Sequence, residues 1–389
     1  MKRVLVVTPH YLPGYRAGGP IRSVSNMVAN LSDEFEFYIL TSDRDFQSRS
    51  PFPNVQYGQW QMVGNAKVRY LAPHEWRLGR LREVMQEVEF DLVHLQSFFH
   101  PKATLGPLWL RWRKQIPEVP VLVAPRGEFS PGALRIRNWK KRPFLTLVRR
   151  IGFFRGLHWV GSSPAEKEDI LRVLKGTVTD SEIGVAGEFP SRLPTPTAVR
   201  PPKRPGELEV VFVSRVSRKK NLDLALRILT RIQGEVRFRI VGPAEDEAYL
   251  SECLEIVKRL PDDVTATFEG PVPADEVGDV FGAGHLFLFP TAGENFGHVL
   301  LESFGFGCPI LTSDQTPWRD LAERMAGWDL PLDSEDGFVE VVQNMMGWDE
   351  DQFQRWSEGA RAVYESYLTD PKLGTALRQV LRDAMNAKR

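Results

Sequence analysis

Short continuous apolar runs alternate with stretches of helical spacing from the first residues onward. Residues 4–8, 35–41, 92–95, 121–124 and 157–160 are apolar runs of strand length, whereas residues 21–31, 81–88 and 164–174 repeat apolar positions at helical intervals. Continuous rather than alternating strands belong to a sheet buried on both faces, which is a parallel sheet covered by helices. The second half repeats the grammar, with strands expected at 209–213, 237–241, 266–269, 286–289 and 310–312 and helices at 222–232, 249–260, 274–281 and 298–306. Between the halves, residues 189–206 hold six prolines, and proline lacks the N–H that a core strand donates. The pattern therefore predicts an α/β chain of two doubly wound, Rossmann-like parallel-sheet domains, 1–188 and 207–359, joined by a proline-rich linker at 189–206. Two such domains leave a cleft in which one ligand is held from both sides, because ligands of open α/β sheets sit beyond the carboxyl ends of the strands.

Composition narrows the function. The 389 residues carry 50 Lys+Arg against 50 Asp+Glu, so the chain is no global polycation and nucleic acid is not an expected partner. Two cysteines, Cys253 and Cys308, exclude a disulfide scaffold and a cysteine-cluster metal site and suit a reducing compartment. The apolar run after Met1-Lys2-Arg3 is too short for a signal-peptide core, and no run approaches the ~18 residues of a membrane span, so a cytoplasmic location is expected.

Several familiar chemistries are missing. There is no Walker A loop, no complete G-x-G-x-x-G after the first strand, no H-E-x-x-H, no C-x-x-C and no G-x-S-x-G. Asp43-Arg44-Asp45 spells D-x-D, which suits a divalent metal between sugar-nucleotide phosphates or, alternatively, a polar loop closing the second strand. Nothing nearby supplies the further oxygen ligands of a metal site, which favours the loop.

The informative stretch is Pro290-Thr291-Ala292-Gly293-Glu294-Asn295-Phe296-Gly297-His298, where an apolar strand runs through a glycine-bearing loop into a helix. The first N–H groups of that helix lack internal partners and carry the positive end of the dipole, a seat for a diphosphate. Gly297 keeps side chains out of the way, Glu302 lies one turn in, where a carboxylate can accept from two adjacent hydroxyls such as a ribose diol, and Glu294 faces what the phosphate carries. After the first strand of the second half come Arg215 and Lys220, a planar fork and a point charge of the kind a pyrophosphate needs.

With Glu294-x-Phe296-Gly297-x4-Glu302, the chain resembles the retaining GT-B glycosyltransferases of the family 4 type, whose second domain carries an E-x7-E signature. Arg215 and Lys220, five apart, fit the Arg and Lys that the family sets against the donor diphosphate, and Gly18-Gly19 fits its amide-donating Gly-Gly after the first strand. Phe268-Glu269-Gly270 stands where the family places residues near the nucleotide base. The resemblance covers nearly the whole chain and implies a nucleotide-sugar donor, a saccharide or lipid-linked acceptor on the first domain, retention at the anomeric carbon and no required metal or other cofactor. It assigns Glu294 to the transferred sugar and Arg215, Lys220, Gly270, Phe296, Gly297, His298 and Glu302 to the donor. It also implies that the helical C-terminal stretch, 360–389, packs back on the first domain.

One departure matters. Many relatives have a sugar-contacting histidine after the strand at 121–124, where this chain reads Ala124-Pro125-Arg126-Gly127-Glu128, so a histidine role does not transfer. Arg126 replaces it as a candidate for steadying phosphate charge or acceptor, or else forms a structural ion pair; His94 and Glu128 are acceptor-side candidates. A sugar-nucleotide epimerase on the same fold and a non-catalytic nucleotide-binding scaffold are the alternatives.

Charge distribution adds a partner. Residues 129–165 contain no Asp or Glu but include Arg135, Arg137, Lys140, Lys141, Arg142, Arg149, Arg150 and Arg155. Trp139, Phe144, Leu145, Leu147, Ile151, Phe153, Phe154 and Trp159 are interleaved. A basic amphipathic stretch across 135–155 suits an anionic membrane surface and points to a peripheral enzyme at the inner face, acting in polysaccharide or glycolipid assembly. A solvated helix whose aromatics belong to the core reads equally from the same residues.

Overall fold

A computed structural model describes residues 1–135, 138–191, 193, 197, 199–273 and 275–387, the side chains of residues 135, 138 and 140 excepted. The chain divides into two compact units, Met1–Phe189 with Pro371–Arg389, and Pro190–Asp370.

The first unit runs β1 (Lys2–Val7), α1 (Gly19–Leu31), β2 (Phe35–Ser42), β3 (Gln61–Val63), β4 (Ala66–Leu71), α2 (Leu78–Gln86), β5 (Leu92–Leu95), a π-helical turn (Pro101–Leu105), α3 (Gly106–Trp112), β6 (Val121–Val123), α4 (Pro131–Arg135), α5 (Asn138–Arg150), β7 (His158–Gly161), α6 (Pro164–Val173) and β8 (Ile183–Val185). The sheet order is β3-β4-β2-β1-β5-β6-β7-β8, all parallel except for β3 against β4. The direction of strand progression reverses between β1 and β5, so the loops that follow these two strands open side by side. Both faces are buried. One core holds Leu5, Val93, Phe98, Phe129 and Trp159, and the other holds Val4, Val6, Val24, Ile39 and Leu122.

The second unit runs β9 (Glu207–Val213), α7 (Leu222–Leu229), β10 (Glu235–Val241), α8 (Glu247–Val257), β11 (Val264–Gly270), α9 (Val277–Ala283), β12 (Leu286–Phe289), α10 (His298–Gly305), β13 (Ile310–Ser313), β14 (Gly327–Leu330), α11 (Glu335–Met346) and α12 (Glu350–Leu368). Its order β11-β10-β9-β12-β13-β14 is parallel throughout and reverses between β9 and β12. Helix starts follow local chemistry: the Asp246 carboxylate accepts from Tyr249 N at 3.0 Å to open α8, and Asp349 with Gln352 forms a capping box at α12. From Pro190 on, the described part of the proline-rich stretch is tied to this unit. Arg200 Nη2 donates to Phe306 O at 2.9 Å and Lys203 Nζ to Trp348 O at 2.9 Å.

The last helix, α13 (Pro371–Asn386), belongs to the first unit. Leu373, Leu377, Leu381 and Ala384 form its buried stripe, while Arg378 and Arg382 pair with Asp33 and Glu34 at the end of α1. It lies so close to β8 that a Cβ on Gly184 would stand 2.4 Å from Val380 Cγ2. Among the described residues no helix is long and apolar enough to cross a membrane.

Candidate functional site

Because β9 and β12 are neighbours at the order reversal, the loops after them meet although the residues in contact are 69 to 74 positions apart. Backbone and side-chain bonds stitch the two together. Ala292 N donates to Lys219 O at 2.7 Å, and Asn221 Nδ2 donates to Pro290 O at 2.9 Å. Asn221 takes a left-handed conformation (φ 53°) between the short turn at Arg218–Lys220 and α7. That turn aims Lys220 at the loop after β12, where its Nζ lies 2.5 Å from Glu294 Oε1. Thr291 Oγ1 donates to the same oxygen at 2.9 Å, and Glu294 N donates to Gln315 O at 3.1 Å.

The electrostatics of Glu294 follow from that enclosure. Burial pushes its carboxyl up, but the charges of Lys220 and Lys219 and the bonds from Lys220 and Thr291 outweigh it, leaving the group below the usual carboxylate range. Lys219 moves down, chiefly through burial and also through the charges of Lys220 and Arg215. Arg215, about a third exposed, pairs with Glu245 at 3.0 Å.

Gly297 caps α10 with φ 82°, a left-handed turn that glycine adopts without cost, and a Cβ there would lie 2.8 Å from Leu300 Cδ1. The turn carries the chain from the Glu294 loop straight into α10. Glu302 sits one turn along the helix and is buried. Phe296 is directed inward, with ring centroids 4.9 Å from His298 and 5.5 Å from both Trp318 and Tyr367, and Trp318 Nε1 donates to Phe296 O at 2.7 Å. It anchors the loop from beneath. Gly270, at the end of β11, is two strands removed; open space faces it, and its carbonyl accepts from Gly242 N at 2.8 Å.

The first-unit candidates separate into three places. Gly18 and Gly19 start α1, and the loop before them is organised by Asp45, whose carboxylate accepts from Tyr15 N at 3.0 Å, Arg16 N at 3.2 Å and Phe46 N at 2.7 Å. Asp43 pairs with Arg44 at 2.8 Å. Both carboxylates of the D-x-D are thus spent on the loop itself. Among the described residues no cluster of three or more metal-ligating side chains occurs.

His94 and Arg126 share a second place. The Arg126 guanidinium donates to Gln96 Oε1 at 2.6 and 2.9 Å and pairs with Glu188. Gln96 Nε2 in turn lies 3.0–3.2 Å from the His94 ring nitrogens. With its oxygen taken by Arg126, the Gln96 amide is the donor to His94. Burial and the charge of Arg126 hold His94 neutral, its pKa pushed down to about 3, and burial lowers Arg126 to about 10. Arg126 has φ 55°, a conformation that costs a non-glycine residue roughly 1 kcal/mol. Glu166 supports the strained turn by accepting from Gly127 N at 2.6 Å and Ser162 N at 2.8 Å.

Glu128 stands apart. Its carboxylate accepts from Phe98 N and Phe99 N, each at 2.7 Å, and burial raises its pKa. Gln96, Glu166 and Glu188 are the residues that sequence reasoning missed. Gln96 carried a signal, two positions past His94 on a strand-end loop; Glu188 and Glu166 carried none that is local.

The basic stretch also divides. Arg137 and the side chains of Arg135 and Lys140 lie outside the described residues. Leu145, Phe153, Phe154 and Trp159 are buried core, so half of the interleaved apolar residues face inward. Trp139, Leu147 and Ile151 are exposed, at 74%, 58% and 42%.

Comparison with known proteins adds three findings. Residues 207–347 match the family Glycosyl transferases group 1. D-inositol 3-phosphate glycosyltransferase of Rhodococcus erythropolis is 30% identical over 117 residues, covering 28% of this chain and 26% of that protein. Alpha-monoglucosyldiacylglycerol synthase of Streptococcus pneumoniae is 21% identical over 342 residues, covering 79% of this chain and 70% of that protein. The chain thus spans about a quarter of the length of the relative that it matches at 30% identity. Among solved structures, HepE of Anabaena in complex with UDP and glucose superposes with a TM-score of 0.70 at 14% identity, over 98% of this chain and 100% of that one. The expected fold is therefore present: two parallel-sheet α/β domains of GT-B type.

Proposed function

We propose that this chain, with its GT-B fold and a glycosyl transferases group 1 domain over 207–347, moves a sugar from a nucleotide-sugar donor to a hydroxyl of a saccharide or lipid-linked acceptor. The observation that carries the reading is the meeting of the Arg215–Lys220 and Glu294–Glu302 loops at the order reversal of the second sheet. A diphosphate is bound there by Arg215, Lys220 and the α10 N-terminus, and Glu302 accepts from the ribose diol. As the sugar–phosphate bond breaks, charge develops on the leaving diphosphate. Fixed cations and oriented amides stabilise such charge without reorganising. Lys220 waits neutralised by Glu294, so an arriving phosphate shares a cation whose position is already set. Glu294 faces the sugar, binding its hydroxyls or steadying positive charge at the anomeric carbon, and the reaction proceeds with retention by same-face departure and attack.

This charge arrangement needs no metal. Arg126, fixed by Gln96 and Glu188, serves the acceptor side. The presence of UDP and glucose in HepE makes UDP-hexoses the first donors to try. The exposed Trp139, Leu147 and Ile151 among Arg142, Arg149, Arg150 and Arg155 support peripheral attachment at an anionic membrane, on its cytoplasmic face.

The test is a transfer assay with a panel of nucleotide sugars, alongside thermal shifts with the nucleoside diphosphates. Release of a diphosphate with a glycosylated acceptor is expected. Nucleotide binding without turnover of any donor would leave a scaffold instead. For the membrane part, sedimentation with anionic but not neutral vesicles is expected, weakening at high salt; equal, negligible binding to both removes that part alone.

A further inference from the structure

A groove of about 330 Å³ opens in the first unit between α2 and the π-helical turn leading into α3. Its walls are Trp76, Leu78, Leu81, Leu105 and Trp109, and Lys102 is the one charged side chain among its lining residues. Leu78 and Trp109 are 45% and 42% exposed, large apolar groups left at a surface where burial would be favourable. The wide turn shapes the floor: a Cβ on Gly106 would already meet Leu81 Cδ2 at 3.2 Å.

From the groove wall, packed aromatic rings lead to the turn after the basic helix. Trp109 and Trp112 rings lie 5.3 Å apart, and Trp112 lies 6.3 Å from Phe153 in the turn after α5. Arg111 donates to Arg155 O and Gly156 O, both at 3.1 Å, locking α3 to that turn. Residues 92–117 contain no Asp or Glu but carry Lys102, Arg111, Arg113 and Lys114, a second acid-free stretch separated from residues 129–165 by Glu118 and Glu128. On the α2 side Glu75 and Glu83 both pair with Arg80, and Glu118 acts on Arg111 rather than on Lys102.

We infer that this groove receives the hydrocarbon chain of an anionic, phosphate-linked lipid, with the phosphate at Lys102, its one charged lining residue. The inference rests on the proposed transferase reading and deepens it by naming a lipid-linked acceptor. A saccharide occupant is disfavoured by the lining, because sugar hydroxyls buried there would find a single polar side chain. Charge complementarity selects the anionic headgroup, and the exposed tryptophans beside the mouth suit the membrane interface from which such a lipid is drawn.

The experiment titrates the full chain by calorimetry with butyl, octyl and dodecyl phosphate below their micelle concentrations, and with dodecyl maltoside. Affinity should rise by about fourfold per methylene until the groove is filled. Leu78→Arg should weaken dodecyl phosphate at least tenfold, and Lys102→Glu should weaken the phosphate but not the maltoside. Equal affinity for butyl and dodecyl phosphate overturns the inference. So does wild-type binding by a folded Leu78→Arg protein, and so does maltose binding without a chain. Self-association abolished by Leu78→Arg would overturn it in favour of a second copy as occupant. Thermal shifts with nucleoside diphosphates, run on the same variants, report the second unit independently. Their failure with chain binding intact removes the transferase reading and not the groove, and the reverse result removes only the groove.

Discussion

Lys220 and Glu294, 74 residues apart in sequence, are an ion pair at 2.5 Å with side chains only 10% and 12% exposed. The pair joins the two loops that carry the second unit's candidate residues. Breaking a buried pair from one side leaves an uncompensated charge.

Lys220→Met should therefore destabilise the second unit by about 3 kcal/mol, with Lys220→Met/Glu294→Gln recovering part of it. Both variants should lose transfer by at least ~100-fold. Denaturant midpoints and transfer rates check this, and additive stability losses would show that the two side chains do not couple.

Glu302→Gln should weaken nucleoside diphosphate binding about tenfold. At a ligand concentration 100 times the parent's dissociation constant, the stabilisation falls from about 2.7 to about 1.4 kcal/mol. An unchanged thermal shift would take Glu302 out of the nucleotide site.

Chelation by EDTA should leave transfer intact, because cations and a helix N-terminus meet the diphosphate and Asp45 is committed to three backbone amides. Asp45→Ala should instead cost the first unit about 3 kcal/mol through the loop before α1. Activity lost to EDTA and restored by Mn²⁺ would return Asp43 and Asp45 to the phosphate site.

Acid should destabilise both units before the carboxylates titrate. His94 is held neutral by burial and by the charge of Arg126, with its pKa at about 3. His285 is lowered to about 4, mainly by burial, and bridges Glu209 N at 3.1 Å and Pro201 O at 2.8 Å. Only the Nε2–H tautomer makes both bonds, since one partner only donates and the other only accepts. Below the ordinary histidine pKa the unfolded chain takes up protons that the native chain refuses. Stability is therefore full above about pH 6.5 and falls toward pH 4, by about 1.4 kcal/mol per pH unit for each histidine. Urea midpoints that match at pH 7 and pH 5 would contradict this, and His285→Gln should flatten the slope of the second unit.

The alternation of apolar runs and helical spacing was sufficient to identify the doubly wound sheets, because a strand buried on both faces must be apolar throughout. Glu294, Gly297 and Glu302 were legible for a similar reason: strand, glycine loop and helix are consecutive, so their spacing is local. Elements that break local rules were not. In β4, Lys67 and Arg69 interrupt the apolar run, and Arg69 is buried through its pair with Glu87. β8 is only three residues long. Which of the aromatics at 144–159 face the core also needed the tertiary structure, since Phe153 and Phe154 sit in a turn with no periodicity to read. The residues that hold the candidate groups in place came last. Glu188 for Arg126, Glu294 for Lys220 and Glu245 for Arg215 are 30 to 74 residues from their partners, and strand order and loop packing bring each pair together. Sequence spacing records neighbours along one element. Partnership across a sheet edge is decided when strands pair, and the contacts of the whole fold decide that.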